Sequence, residues 1–294
     1  MSIESLMATS QRLSVSVEAL AALGAELRWR QEGLGGDARV RALLHDVVNA
    51  VDPQLLDGID PDREASVLAL IQTIFRQAVD LLENPARAPA WTHQDPIILQ
   101  SQGQVSRLIV RGIDALAAQR PELGAMLRGG GAFLDVGTGV GWLAIDMARG
   151  WPALRIVGVD PWQPALVLAR DNIAKSGIAE RIELRLQRAE HLDDVATFSL
   201  AWLPGPFIAA EIAGRALERI RCALVPGGWL IFGINAPPPG RLEEALAILR
   251  NVRNGGYRWT AREVEERLRV SDFREVESFS PGGPILFVVG RRSE

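Results

Sequence analysis

The sequence predicts an α/β protein, with a doubly wound, mostly parallel sheet behind a helical N-terminal domain. Two patterns carry this. From about residue 97 onward, short β-rich runs alternate with helical stretches, and such alternation requires crossover connections and parallel strand pairing. Before that point only helical periodicity is present. The composition permits the fold: 294 residues, 48% hydrophobic and 23% charged, describe an ordinary globular protein, long enough to bury its core without disulfide or metal staples.

Residues 1–96 are expected to form the helical domain with its linker. Over 3–23, Leu6, Leu13, Val17, Leu20 and Leu23 recur at helical spacing. A second short segment leads to the loop Gly33-Leu34-Gly35-Gly36, and residues 38–50 form another amphipathic helix. Asp60-Pro61 is an N-cap followed by proline at the first helical position. The next helix carries Val67, Leu70, Ile71, Ile74, Ala78, Leu81 and Leu82 on one stripe and stops at Asn84-Pro85. Stripes of this size need a cover, so the helices are expected to pack on the rest of the chain, completing the substrate pocket as a lid, or on a second subunit in a homodimer.

Residues 97–294 are expected to form the sheet domain. A helix is read over 104–128, then strands at 133–136, 155–159, 182–186, 198–202 and 229–232, with helices at 143–149, 164–176, 207–223, 241–253 and 260–269. The last two strands, 274–278 and 285–289, are separated only by Pro281-Gly282-Gly283-Pro284. They should pair as an antiparallel hairpin and end the sheet with one antiparallel strand.

Several functions are disfavoured at once. The net charge of −4 gives no electrostatic reason for a nucleic-acid or anionic-membrane partner. Cys222 is the single cysteine, so there is no disulfide framework and no thiolate zinc site. His45, His93 and His191 lie far apart, and no metal is expected. Lys175 is the only lysine, a bias that fits a GC-rich bacterial genome. The start has no basic stretch followed by an apolar core, and no apolar run reaches the roughly 18 residues of a membrane span. The expectation is a cytoplasmic protein.

The most informative stretch is Leu134-Asp135-Val136-Gly137-Thr138-Gly139-Val140-Gly141, between a strand and a helix. Glycines there let the backbone turn tightly and approach a ligand. The dinucleotide pattern would place its third glycine at position 142, which is Trp142. The acid at Asp135 would repel a pyrophosphate but suits a cationic amino group. The loop therefore fits a nucleoside ligand with an amino-acid tail. Asp160 follows Gly137 by 23 residues at the end of the next strand, where an acid can accept both ribose hydroxyls.

These residues resemble the first two motifs of the class I S-adenosylmethionine-dependent methyltransferases, most clearly over 130–180 and more weakly over 97–290. Leu224-Val225-Pro226-Gly227-Gly228 is similar to that family's turn before its fifth strand, and Trp259 to Phe273 to its penultimate segment. The resemblance implies a Rossmann-like, seven-stranded sheet and S-adenosylmethionine as cofactor. It implies that Asp135 places the methionine amino group, that Gly137, Thr138, Gly139 and Gly141 line the cofactor, and that Asp160 holds the ribose. Pro161 and Trp162 would flank the adenine, or Trp162 would pack in the core.

The sequence departs from the family at two strand exits. Arg188 stands where an aspartate usually reads the adenine amino group, and arginine cannot accept a hydrogen bond. Either Glu190 takes that role or backbone groups around Ala189 read the adenine alone, with Glu190 as a surface acid the alternative. The fourth strand leaves through Trp202-Leu203-Pro204-Gly205-Pro206-Phe207, which has neither acid nor histidine. Trp202 and Phe207 are either an acceptor wall for a flat or apolar substrate or core. Should a base exist, His93 in the linker is the first candidate, a solvated histidine being the alternative. Tyr257 either reaches the substrate or anchors a loop. The resemblance implies methyl transfer to a small-molecule acceptor, and on the resemblance alone O-methylation is slightly favoured over N- or C-methylation. The rival is a non-methylating reaction, such as cyclisation, rearrangement or elimination, on the same cofactor-binding scaffold. A cofactor sensor without chemistry is the third reading.

Overall fold

The computed structural model describes residues 2–293. The chain divides into two compact units, Met1–Pro85 and Ala86–Glu294. The boundary expected at 96/97 thus lies earlier, and the linker belongs with the sheet.

The first unit holds α1 (Ile3–Glu32), α2 (Ala38–Val51) and α3 (Pro61–Glu83). One 30-residue helix replaces the two segments expected before Gly33. Nothing from Gly24 to Glu32 breaks the helix. It stops only at Gly33, whose left-handed backbone returns its N–H to Trp29 O. Asp37 caps α2 by accepting the N–H groups of Arg39 and Val40. Leu27, Leu68 and Ile71 form the core, with Leu20, Leu23, Leu56 and Phe75 around it. Leu6, Leu13 and Val17 of α1, Leu43 and Val47 of α2, and Leu70 and Ile74 of α3 remain exposed. Contrary to expectation, Arg63–Glu83 is long and apolar enough to cross a membrane, its most apolar 18-residue window having a mean hydropathy of 1.4. Its apolar residues nevertheless follow one stripe, as in a helix packed on neighbours.

The second unit opens with α4 (Pro96–Ser106), α5 (Leu108–Gln119) and α6 (Pro121–Arg128) instead of the single helix expected over 104–128. Asp95 caps α4 ahead of Pro96. Pro121 forces Arg120 out of the helical region (φ −122°, ψ 87°), which separates α5 from α6. The sheet elements follow: β1 (Ala132–Val136), α7 (Trp142–Gly150), β2 (Arg155–Asp160), α8 (Gln163–Ala174), β3 (Ile182–Leu186), β4 (Phe198–Pro204), α9 (Ala210–Ala223), β5 (Leu224–Asn235), α10 (Arg241–Arg253), α11 (Ala261–Val270), β6 (Phe273–Phe279) and β7 (Ile285–Arg292).

The strand order is β3-β2-β1-β4-β5-β7-β6. The hairpin of β6 and β7 forms as expected, but its antiparallel strand does not end the sheet. β7 inserts beside β5, and β6 is the edge. The side chains explain why. Phe287, Val288 and Val289 are buried on both faces of β7, so that strand needs neighbours on both sides. β6 carries Arg274, Glu275 and Glu277 and has irregular pairing there, features that suit an exposed edge.

Alternation along the strands divides the core into two layers. Leu134, Val136, Val159, Leu203 and Phe232 face α9 and α11, whereas Phe133, Ile156, Leu200 and Ile231 face α5, α6 and α7. The strand order reverses between β1 and β4, and ligands of open α/β sheets bind in the crevice at the carboxyl ends beside such a reversal.

Candidate cofactor and acceptor site

The loop leaving β1 is built by its backbone. Gly137, Gly139 and Gly141 all have positive φ, at 66°, 57° and 82°. The N–H groups of Gly137 and Thr138 both donate to Val159 O, at 2.8 and 3.1 Å, which ties the loop to β2. A Cβ on Gly139 would meet nothing closer than 3.9 Å, so its outer face is open to a ligand. Beneath the loop the space is full: a Cβ on Gly158 would lie 2.7 Å from Thr138 Oγ1.

Asp135 is 1% exposed. The Thr138 hydroxyl donates to its Oδ2 at 2.7 Å. Burial pushes the Asp135 carboxyl up to about 7, the Thr138 hydrogen bond opposes the shift, and the charge of Asp160 adds to it. A buried carboxylate held by one neutral hydroxyl is under-compensated, and an ammonium group brought close would ionise it. Asp160, at the end of β2, accepts Gly139 N–H on Oδ2 at 2.9 Å and Trp162 N–H on Oδ1 at 2.7 Å. Burial raises its pKa against these two hydrogen bonds. Each oxygen keeps a lone pair, so two ribose hydroxyls fit. The donor set therefore suits an adenosine bearing a cationic amino-acid tail.

Pro161 is exposed and Trp162 half-buried. Trp162 packs with Leu99, Val140 and Ala165. Its indole N–H donates to His93 O at 2.7 Å. After β3, Ala189 is buried in a one-turn helix spanning Ala189–His191. The Glu190 side chain is largely buried and lies 3.7 Å from the exposed Arg188 guanidinium. His93 is buried, its imidazole edge-on to Trp91 at 5.0 Å; it is not a solvated linker side chain.

The fourth-strand exit departs most from expectation. Trp202 is a core residue. It packs edge-on to Phe287 at 5.6 Å and covers Gly233, where a Cβ would come within 2.0 Å of its ring. Its position in β4 points it into the layer beneath the sheet, so it lines no acceptor wall. Phe207 is half-buried and meets Trp91 at 5.2 Å. Tyr257 anchors a loop: its hydroxyl donates to Glu263 at 3.1 Å, and its ring stands 4.7 Å from that of Trp259. The Glu263 carboxylate also raises the Tyr257 pKa, which disfavours a phenolate base.

Two groups of positioning residues were not expected from the sequence. Gln100 of α4 accepts the Trp142 indole N–H at 2.8 Å, and Asn172 of α8 donates to Val140 O at 2.8 Å. Together they clamp the glycine loop. Trp259 donates to Gly205 O and Ile208 O, both at 3.1 Å, and so fixes the turn after β4. No local pattern marks these residues, since each acts on a segment distant in sequence. Among the described residues, no three His, Cys, Asp or Glu side chains come together as metal ligands.

Residues 133–228 match the family model described as a methyltransferase domain. The chain is 32% identical over 148 residues to a ribosomal protein L11 methyltransferase of Trichlorobacter lovleyi, covering 50% of this chain and 43% of that protein. It spans less than half the length of the curated relatives it matches first. Solved structures extend the likeness in fold to nearly the whole chain. An O-methyltransferase family protein from Burkholderia thailandensis superposes with a TM-score of 0.67 at 16% identity, covering 100% of this chain and 99% of that one. Human N-acetylserotonin methyltransferase in complex with SAM gives 0.63 at 16% identity, covering 100% and 99%. The glycine loop and the two buried acids thus lie within the residues that match a methyltransferase domain.

Proposed function

We propose that this protein binds S-adenosylmethionine and transfers its methyl group to a small-molecule acceptor, with a hydroxyl oxygen as the favoured target. The observation that carries the reading is the under-compensated Asp135 carboxylate beneath an open glycine loop, one strand away from Asp160. When bound, the cofactor supplies an electrophilic methyl on a sulfonium. In this reading Asp135 ionises beside the methionine ammonium, and Gly137, Thr138, Gly139 and Gly141 present backbone to the cofactor. Asp160 accepts the ribose hydroxyls, and Pro161, Trp162 and the Ala189–Glu190 turn flank the adenine. Phe207, with Trp91 against it, faces the acceptor. Transfer to an oxygen that is already ionised needs positioning and exclusion of water, not proton removal. Where the acceptor must lose a proton, His93 is the candidate base, being the buried imidazole at this edge.

The O-methyltransferase fold relatives and the net charge of −4 support a small acceptor over nucleic acid. The exposed stripes of α1, α2 and α3 support a homodimer through residues 1–85. Isothermal calorimetry tests the cofactor: S-adenosylhomocysteine should bind with micromolar affinity and NAD should not. A mass-spectrometric screen of candidate acceptors tests the chemistry. Products carrying an added methyl, with S-adenosylhomocysteine released, support transfer. Turnover without S-adenosylhomocysteine would establish the non-methylating alternative.

A further inference from the structure

The segment Ala90–His93 crosses the carboxyl edge of the sheet as a strap. The Ala90 N–H donates to Arg253 O at the end of α10, at 3.1 Å. Gly255 lies against Ala90 so closely that a Cβ there would come within 3.2 Å of the Ala90 Cα. Trp91 stands edge-on to Phe207, beyond β4, with the rings 5.2 Å apart and 89° between their planes. Trp91 and Trp162 pack against the same small cluster of Leu99, Val140 and Ala165, and Val140 belongs to the glycine loop. The His93 carbonyl takes the only N–H of the Trp162 indole. The Trp162 backbone N–H is in turn held by Asp160. Contacts therefore run without a gap from Asp160 through Trp162 and His93 to Trp91 and Phe207. They join an acid at the end of β2 to the aromatic pair at the exit of β4.

We propose that Trp162 is a positioning residue that couples ribose recognition at Asp160 to the acceptor wall formed by Trp91 and Phe207. The inference rests on the reading of Asp160 as the ribose acid. Ribose hydroxyls bonded to Asp160 fix the carboxylate. The carboxylate fixes the Trp162 backbone, and the indole N–H then holds the strap. Cofactor binding thereby tightens the aromatic wall, and an acceptor on the wall tightens cofactor binding in return.

Hydrogen–deuterium exchange over residues 88–94, with and without saturating S-adenosylhomocysteine, tests the coupling in the full-length protein. Calorimetry on the same samples reads binding separately. In the wild type, the ligand should slow exchange in this segment by about tenfold or more, as expected when a locally opening segment is tied down. Trp162→Phe keeps the ring and removes the donor. Compared at ligand concentrations that calorimetry shows to saturate each protein, it should gain less than about twofold protection. Equal protection in both proteins would overturn the inference. So would S-adenosylhomocysteine binding to the wild type without added protection, a result that needs no variant. Absence of binding would remove the cofactor reading and this inference with it, and calorimetry distinguishes that failure from a failure of coupling alone.

Discussion

The exits of β1 and β4 lie side by side at the reversal of strand order, yet they are built on different principles. At β1 the functional groups are contiguous in sequence. Three left-handed glycines turn the loop, and Asp135 and Thr138 bond to each other across three residues. At β4 the half-buried ring of Phe207 is placed by residues from far away: Trp91 from the strap, Trp259 from the loop before α11, and Gly256, where a Cβ would come within 1.8 Å of Pro206 O. The glycine loop is set mainly by its own backbone, with Gln100 and Asn172 as a distant clamp, whereas the surroundings of Phe207 are set by packing.

The sharpest way to break this contrast is Trp202→Ala. As a core residue Trp202 should contribute about 3–5 kcal/mol of stability, the range for removing a buried aromatic. Chemical denaturation should show that loss, while S-adenosylhomocysteine affinity of the folded protein stays within about twofold. Normal stability combined with poor acceptor turnover would return Trp202 to the wall.

Asp160→Ala acts on the other side of the contrast. It should weaken S-adenosylhomocysteine binding by about 1–3 kcal/mol, the range for leaving buried donors unpaired. An unchanged dissociation constant by calorimetry would mean that the ribose lies elsewhere.

The third prediction sharpens the role of Asp135. In the free protein its carboxyl titrates at about 7, whereas a cationic tail favours the ionised form. Affinity for S-adenosylhomocysteine should therefore fall by about tenfold for each pH unit below 7, measured between pH 5 and pH 7, and the dependence should vanish in Asp135→Asn. Stability carries a sign of its own. The folded pKa of about 7 lies above the ordinary 3.8, so the folded state holds a proton that the unfolded state has released between those values. Stability falls as pH rises through that window, and the penalty is complete above 7. Asp135→Asn should melt higher than wild type at pH 8 in the absence of ligand.

The smallest effect is expected at His93. If catalysis is mainly positioning, His93→Ala lowers kcat by less than about tenfold, whereas loss of a general base costs about 10²–10⁴. Steady-state kinetics with an identified acceptor decides between them: a hundredfold loss confined to kcat would establish a base.

Most of what depends on neighbouring residues is legible in the sequence. The strand–helix alternation, the hairpin of β6 and β7, the glycine loop and both acids rest on periodicity, on turn chemistry or on short spacing. The helix boundaries that were misread, in α1 and across α4, α5 and α6, depend on whether a weak local signal such as Gly24 or Asp95-Pro96 interrupts the pattern. Periodicity does not rank such signals. The tertiary structure decided the rest. It placed β7 inside the sheet because both of its faces are apolar, buried Trp202 over Gly233, and engaged the Tyr257 hydroxyl with Glu263. It also brought Trp91, Trp162 and Phe207 together across more than a hundred residues of chain. The physical reason is that a backbone conformation is set by the residues that adopt it, whereas the environment of a side chain is set by whatever the fold packs against it.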